Sequence, residues 1–561
     1  MKYGVKKIDN SNKSNKSNKP KKVPSGTQKR IEKIYMEAND ELGDSIREEV
    51  WAHFIAAETT NHRKFLKGDS SATSEYIYEN QKKDSQKIIT EFKNGKRVVS
   101  VQKRTKVGAD GLMICIAVDM GMENGDLFTE PENVRILTGM SNCEWERGMI
   151  EKCPSCYKDK IFHHGQLPKA NLKNLKNALI IIDEIDSGNK EDQILHQTLK
   201  DSGILDVKFM TENNIHFVFI SATITRELHE LYRWGNLHGS ISMSIPSSYI
   251  GHGDFLKMGI IQESYPMKKR EHVEKWIDED ILTYGNDFRV HIARIPDTSA
   301  NTNINIIQDA CIFKNIIFIR HDASERLGAS ELQKYFEEPL TNHVVIGVKG
   351  FYRRANLIPN KWKLRIGATH ESYVKTRDNN VQIQGLPGRM TGYWREIVES
   401  GHKTGPYRTS IDAVIEYENA YLDPLGKNPY QTFGFKKNSR GKITQTTITF
   451  LNPVHIENLD PIDLPEIEKS WETTKPFTDY ETAYIWWEDN LDYKITKCTL
   501  HGKNPNYYIK WETEKLPVVS LKDTISRLNL GWCSNAARIV PFQEETIQYL
   551  IVYRKDKLKK K

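Results

Sequence analysis

The first candidate chemistry lies where an apolar run stops on carboxylates. Ala178-Leu179-Ile180-Ile181-Ile182 is followed at once by Asp183-Glu184-Ile185-Asp186. Such a run reads as a buried strand, and ligands of open parallel sheets bind in the crevice beyond the carboxyl ends of the strands, which aims Asp183 and Glu184 at a bound nucleotide. One carboxylate, Asp183, can there place Mg2+ directly or through water, while its neighbour Glu184 orients and deprotonates an attacking water. An acidic turn after any buried strand looks the same, so the motif needs company. A second run, Phe217-Val218-Phe219-Ile220, ends on the small residues Ser221-Ala222-Thr223, a pattern that also suits a helix cap.

Holding these ends together requires alternating strands and helices. A helix from Ser74 to Phe92 leads to strands at Arg97 to Val101, Val134 to Thr138, Ala178 to Ile182 and Phe217 to Ser221, making a first domain over residues 74–240. Further strands at Arg289 to Ile295, Ile316 to Ile319, His343 to Val348 and Leu364 to Ala368 make a second over 241–400. Short apolar runs separated by helical segments suit a doubly wound sheet, so the expected fold class is α/β, with two tandem parallel-sheet domains and a small C-terminal α+β unit. Residues 1–28, with the repeat Asn-Lys-Ser, are too polar to offset their ordering entropy and read as a disordered basic tail. Residues 29–73 show helical spacing with a break near Gly43, and 401–472 hold a helix from Ile411 to Tyr421 and a polar linker. Residues 473–561 form the aromatic-rich accessory unit, whose Trp486-Trp487 and neighbouring tyrosines suit either core packing or base stacking.

Asp-Glu-Ile-Asp followed by Ser-Ala-Thr resembles motifs II and III of superfamily two helicases of the DEAD/DEAH type, and the resemblance continues in order from about Gln81 to Tyr393. It implies RecA-like domains, ATP with Mg2+, and DNA or RNA as partner. It also implies that Ser221, Ala222 and Thr223 couple the nucleotide site to the nucleic-acid path. Val381-Gln382-Ile383-Gln384-Gly385-Leu386-Pro387-Gly388-Arg389 resembles motif VI, which makes Arg389 the implied arginine finger, with Gln384 and Gly388 lining the nucleotide. Gln384 stands one residue further from Gly388 than the usual pattern, and Gly392 replaces the second arginine. Ile136 to Met140 and Gly347 to Arg354 sit where motifs Ia and V fall, which implies Thr138, Lys349, Arg353 and Arg354 as nucleic-acid phosphate contacts. A solvated basic face suits the last three equally. The wording of the motifs resembles helicases encoded by large DNA viruses.

Motif I departs furthest. The family has Gly-x-x-x-x-Gly-Lys-Thr after the first strand, because glycines let backbone amides wrap phosphates and the lysine neutralises them. Here the chain reads Gln102-Lys103-Arg104-Thr105-Lys106-Val107-Gly108-Ala109-Asp110-Gly111. With Gly108 as the second glycine, Ala109 takes the lysine position and Asp110 the hydroxyl position, where a carboxylate facing phosphate adds repulsion. Lys103, Arg104 and Lys106 can supply the missing cation from other backbone positions, and Gly108 and Gly111 permit close approach. Two readings stay open: a nucleic-acid-dependent nucleoside triphosphatase, helicase or translocase, or a helicase-shaped nucleic-acid-binding or assembly scaffold without hydrolysis.

The bulk properties exclude other classes. The chain has 561 residues, 38% hydrophobic and 28% charged, and no apolar run approaches the roughly 18 residues that span a bilayer, so a soluble cytoplasmic protein is expected, a viral replication compartment or virion included. Its seven cysteines read as free thiols. Cys153-Pro154-Ser155-Cys156 lacks a second pair, and His163 and His164 are adjacent where zinc sites space them, so no metal is expected there.

Overall fold

The computed structural model describes residues 41–69, 71–141, 143–188, 193–295, 304–322, 324–349, 352, 358–373, 378–424, 471–492, 538–543, 547–555 and 558–559. The basic tail, Arg353, Arg354 and the aromatic segment 507–511 lie outside these.

Strands β1 (Val98–Gln102), β2 (Val134–Thr138), β3 (Ile161–Phe162), β4 (Ala178–Asp183), β5 (Ile215–Ser221) and β6 (His238–Ser242) form one sheet. Their order is β3-β2-β4-β5-β1-β6 and every pairing is parallel. Side chains alternate between the two faces, and both faces are covered, which is why these strands read as nearly continuous apolar runs. Val99, Val101, Ile136, Ile181 and Ile220 share a core with helices α1 (Glu41–Leu66), α2 (Glu79–Lys93) and α3 (Ala109–Met120), while Leu137, Ile180, Ile182, Phe217 and Phe219 build the core on the other face. Register sets the strand ends level. Gln102 lies beside Ser221, and Thr138 beside Asp183, so the segments leaving β1, β2, β4 and β5 emerge at one edge. One of them leads into helix α4 (Cys143–Lys152).

The second sheet comprises β7 (Ile261–Glu263), β8 (Val290–Arg294), β9 (Ile317–His321), β10 (Val344–Val348), β11 (Ile366–His370) and β12 (Tyr407–Thr409), in the order β7-β12-β11-β8-β10-β9, again all parallel. The tandem parallel-sheet α/β class expected from the sequence is the class observed. Each of the eight expected strands occurs, with ends shifted by no more than two residues. The short strands β3, β7 and β12 and the polar edge strand β6, which has Ile241 as its single aliphatic residue, carried too little apolar signal to be foreseen.

Two differences from expectation have physical causes. Helix α1 runs through Gly43 without the break expected there. Gly43 lies in the first described turn of that helix, and the buried Arg47 one turn on anchors this end by donating to the Glu123 carbonyl at 2.8 Å and to Asn124 Oδ1 at 3.1 Å. The second unit also continues past residue 400, because β12 pairs between β7 and β11, and the helix after it buries Val414 and Tyr417 in the core of that sheet.

In the C-terminal region, β13 (Trp471–Thr473), β14 (Arg538–Gln543) and β15 (Ile547–Arg554) form an antiparallel sheet in the order β13-β15-β14. Trp486 and Trp487, on a helix over Tyr480–Asn490, pack against its core; the Trp486 ring lies 5.7 Å from that of Tyr553.

After β2 the chain passes so close to the turn following β4 that a Cβ on Gly139 would overlap the Ser187 carbonyl, whereas one on Gly148, within α4, meets nothing. Gly139→Ala is therefore expected to cost about 2 kcal/mol and lower the midpoint of thermal unfolding. Gly148→Ala should raise it, by about 0.5–1 kcal/mol of helix propensity. Differential scanning calorimetry of the two variants checks both signs.

Candidate functional site

The level strand ends bring the sequence-predicted carboxylates to the start of the loop after β1. Lys103, the first residue beyond β1, places its Nζ 3.0 Å from Asp183 Oδ1 and 2.9 Å from Glu184 Oε1. All three side chains are buried. Burial alone would depress the Lys103 ammonium, but Asp183 and Glu184 together outweigh it and hold the group above the ordinary lysine value. The remaining oxygens are also occupied. Trp145 Nε1 donates to Asp183 Oδ2 at 2.9 Å, while Glu184 Oε2 accepts from Gln384 Nε2 at 2.9 Å and lies 3.2 Å from Ser221 Oγ. A divalent cation does not fit this arrangement, since each carboxylate oxygen has a donor, and no group of three metal-ligating side chains occurs among the described residues.

Ser221, Ala222 and Thr223 tie this pair to the second unit. Ser221 Oγ donates to Asp186 Oδ1 at 2.7 Å and Thr223 Oγ1 to Asp186 Oδ2 at 2.8 Å, with the buried Ala222 between them. From a helix over Asn379–Gln384, designated α5, Asn380 Nδ2 reaches Asp186 Oδ2 at 2.9 Å, and Gln384 Nε2 reaches Thr223 Oγ1 at 2.7 Å. At Gly385 (φ −72°, ψ −142°) the chain breaks before a short helix over Leu386–Met390, designated α6. Glu371 Oε2 accepts the Leu386 N–H at 2.8 Å, and Arg294 Nε holds the other Glu371 oxygen at 2.5 Å, fixing the turn that carries Gly388 and the buried Arg389. A Cβ on Gly388 would overlap the Ile383 carbonyl.

The loop of residues 103–108 is bound from three directions. Thr105 O accepts from Tyr249 OH at 2.7 Å and Thr391 Oγ1 at 3.0 Å, and Val107 O accepts from Tyr393 OH at 2.7 Å, all from the second unit. Arg104 turns away from the carboxylates to pair with both oxygens of Glu418, at 2.7 and 2.8 Å, and lies 3.6 Å from the ring centre of Tyr421. Glu418 and Tyr421 belong to a helix over Ile411–Leu422, designated α7. Gly108 adopts the left-handed conformation (φ 99°) at the start of α3, and the space beside it and Gly111 is filled by Gln81, whose Nε2 donates to the Gly108 carbonyl at 2.6 Å. Asp110, expected to repel phosphate, pairs with Lys152. Burial pushes its carboxyl up, and Lys152 outweighs that and holds it below the ordinary value.

A group of cations lies across this interface, and sequence reasoning missed one of them. Lys363 is buried, with Nζ donating to the Thr391 carbonyl at 2.6 Å and Asn360 Oδ1 at 3.0 Å. Burial and the nearby Arg389 lower it to about 7. Lys106 (φ 59°) is likewise depressed well below the ordinary lysine value, by burial first and then by Arg389. Lys363 lies in Asn-Lys-Trp-Lys, which matches no motif, so only the fold reveals it.

Of the other predicted residues, Thr138 is fully buried and donates to the Asp183 carbonyl at 3.0 Å. Lys349 lies just past β10 and is partly exposed. Cys153 is buried and Cys156 half-buried, and burial pushes the Cys156 thiol up to about 12.

Lys363 also generates a pH signature. Between pH 7 and 10.5 an unfolded chain keeps this lysine protonated while the folded one does not, so stability rises with pH across that window. Wild type is expected to gain stability there that Lys363→Met does not gain, as urea unfolding at pH 6, 8 and 9.5 would reveal; parallel profiles would overturn the assignment.

No protein-family model and no curated protein sequence matches the chain. Among solved structures it is similar to the DEAH/RHA helicase HrpB of Escherichia coli, at 11% identity and a TM-score of 0.34, over 65% of this chain and 48% of that one. It is also similar to the DEAD-box helicase Mss116 bound to single-stranded RNA and UDP-BeF (13% identity, TM-score 0.27, 61% and 71% covered). A third likeness is to the DUF1998 helicase MrfA bound to DNA (11%, 0.31, 67% and 60%). The chain thus spans about half the length of HrpB. At such TM-scores these likenesses carry no weight of their own, and the α/β tandem architecture stands on the strand order and parallel pairing of the chain itself.

Proposed function

We propose that this chain is a nucleic-acid-dependent nucleoside triphosphatase of the helicase or translocase type, with ATP as substrate in the cleft between its two parallel-sheet units. The observation that carries this reading is the gathering of Lys103, Lys363 and Arg389 about Lys106, with Lys103 paired to Glu184 and with Lys106 and Lys363 driven toward neutrality by burial and by Arg389. Buried like charges are costly unless an anion joins them, and a triphosphate is an anion of the right valence and reach. Glu184 is the general base for the attacking water, and Arg389 stabilises the charge that develops on the transferred phosphoryl group. Gln384, Asn380, Thr223 and Asp186 link that chemistry to the relative position of the two units. Thr138, Lys349, Arg353 and Arg354 are proposed for the nucleic-acid path, with Thr138 acting through the backbone it fixes and not through its buried hydroxyl.

The scaffold reading has its own support. Lys103 saturates the carboxylates, the Thr105 and Val107 carbonyls are held by the second unit, and the Mg2+ expected alongside ATP would need Lys103 to leave. Nucleic-acid-stimulated ATP hydrolysis separates the two. Glu184→Gln is expected to lower kcat by about 100-fold or more with nucleotide affinity retained. Arg389→Ala should lower it by about 1,000-fold. Wild-type protein that binds nucleic acid in a salt-sensitive way yet turns over no ATP would favour the scaffold, and normal turnover by Glu184→Gln would remove the base assignment.

A further inference from the structure

We propose that the Lys103 ammonium is a tethered cation standing where a divalent metal would stand, so that the cleft takes up a nucleoside triphosphate without Mg2+. The inference rests on the reading of the cleft as a triphosphate site.

The geometry of Lys103 is the starting point. It leaves β1 beside Ser221, at the strand edge where Asp183 ends β4, and its Nζ lies between the two carboxylates assigned from sequence to metal placement and water activation. Magnesium demands nearly octahedral oxygen ligands at about 2.0–2.1 Å and keeps several waters. Here the carboxylate oxygens are already bonded to Lys103, Trp145 and Gln384. An incoming metal would have to expel a buried ammonium and leave that charge without its carboxylate partners.

A second observation points from the ammonium toward a ligand. It has three donors, and among the described residues only Asp183 and Glu184 receive them, so one donor remains. Lys106 belongs to the same short loop, and Lys103, Lys363 and Arg389 all act electrostatically on it, so the ammonium stands beside a concentration of positive charge. With Ala109 at the usual lysine position, Lys103 is also the cation nearest the carboxylates on this loop. One side chain thereby neutralises Asp183 and Glu184 on one side and phosphate oxygens on the other, which is the electrostatic work of the metal.

The test is equilibrium binding of a fluorescent ATP analogue to the full chain in excess Mg2+ and in excess EDTA. The expected result is a Kd that changes by no more than about threefold between the two, a difference of less than 1 kcal/mol. Binding in Mg2+ that weakens tenfold or more in EDTA overturns this inference while leaving the triphosphate reading in place, and no binding in either buffer overturns both. Paramagnetic Mn2+ titration without nucleotide supplies an independent readout. Wild type should take up no ion at this site and Lys103→Gln should take up one; uptake by wild type, abolished in Asp183→Asn, would overturn the inference even if the Lys103 variant proves too unstable to study.

Discussion

Three buried side chains, Lys103, Asp183 and Glu184, form the contact on which the rest of the site depends. Removing two carboxylates and an ammonium from water is recovered only when the charges meet in good geometry and the leftover lone pairs are satisfied. The protein meets both conditions by making other elements converge on the pair. Trp145 comes from α4, Ser221 from the end of β5, and Gln384 from α5 in the second unit. The level register of β1, β4 and β5 is what allows a loop lysine and two strand-end carboxylates to share one spot.

The same economy governs how the two sheets meet. The first unit presents main-chain carbonyls of its loop, at Thr105 and Val107, and the second presents hydroxyls from Tyr249, Thr391 and Tyr393. Buried carbonyls need donors, so these hydroxyls act as conformational constraints on the loop. Arg104 adds a further restraint through Glu418, and its stacking on Tyr421 removes the guanidinium from water on its flat face as well.

Much of this was legible in the sequence, and the reason is local. A strand buried on both faces must be apolar throughout, so β4 and β5 announced themselves, and a carboxylate or hydroxyl directly after such a strand can only lie at the sheet edge. Asp183, Glu184, Ser221 and Thr223 therefore meet at one place, where Gln384 joins them from α5. What stayed hidden depends on partners far along the chain. Arg104 finds Glu418, Asp110 finds Lys152, and Lys363 reaches the interface from a segment with no motif at all. The spacing oddity before Gly388 disappears once Gly385 is seen to break the chain between two short helices, a backbone event that residue types alone do not dictate.

The pairing of Asp110 with Lys152 changes how the loop after β1 must be understood. Read along the sequence, an aspartate in place of a hydroxyl residue is a repulsive charge at the phosphates, and the loop looks disabled. In three dimensions its charge is met from α4, the same helix whose Trp145 holds Asp183, so one helix neutralises the anomaly and orients the strand-end carboxylate. Positive charge that the loop lacks at Ala109 reappears at Lys103, Lys106 and Lys363, on both sides of the interface. An electrostatic field depends on where charges lie and not on which residue numbers carry them. The positive charge of this loop is therefore spread over both sides of the interface, and the part of it at Lys103 is the cation that the two carboxylates hold.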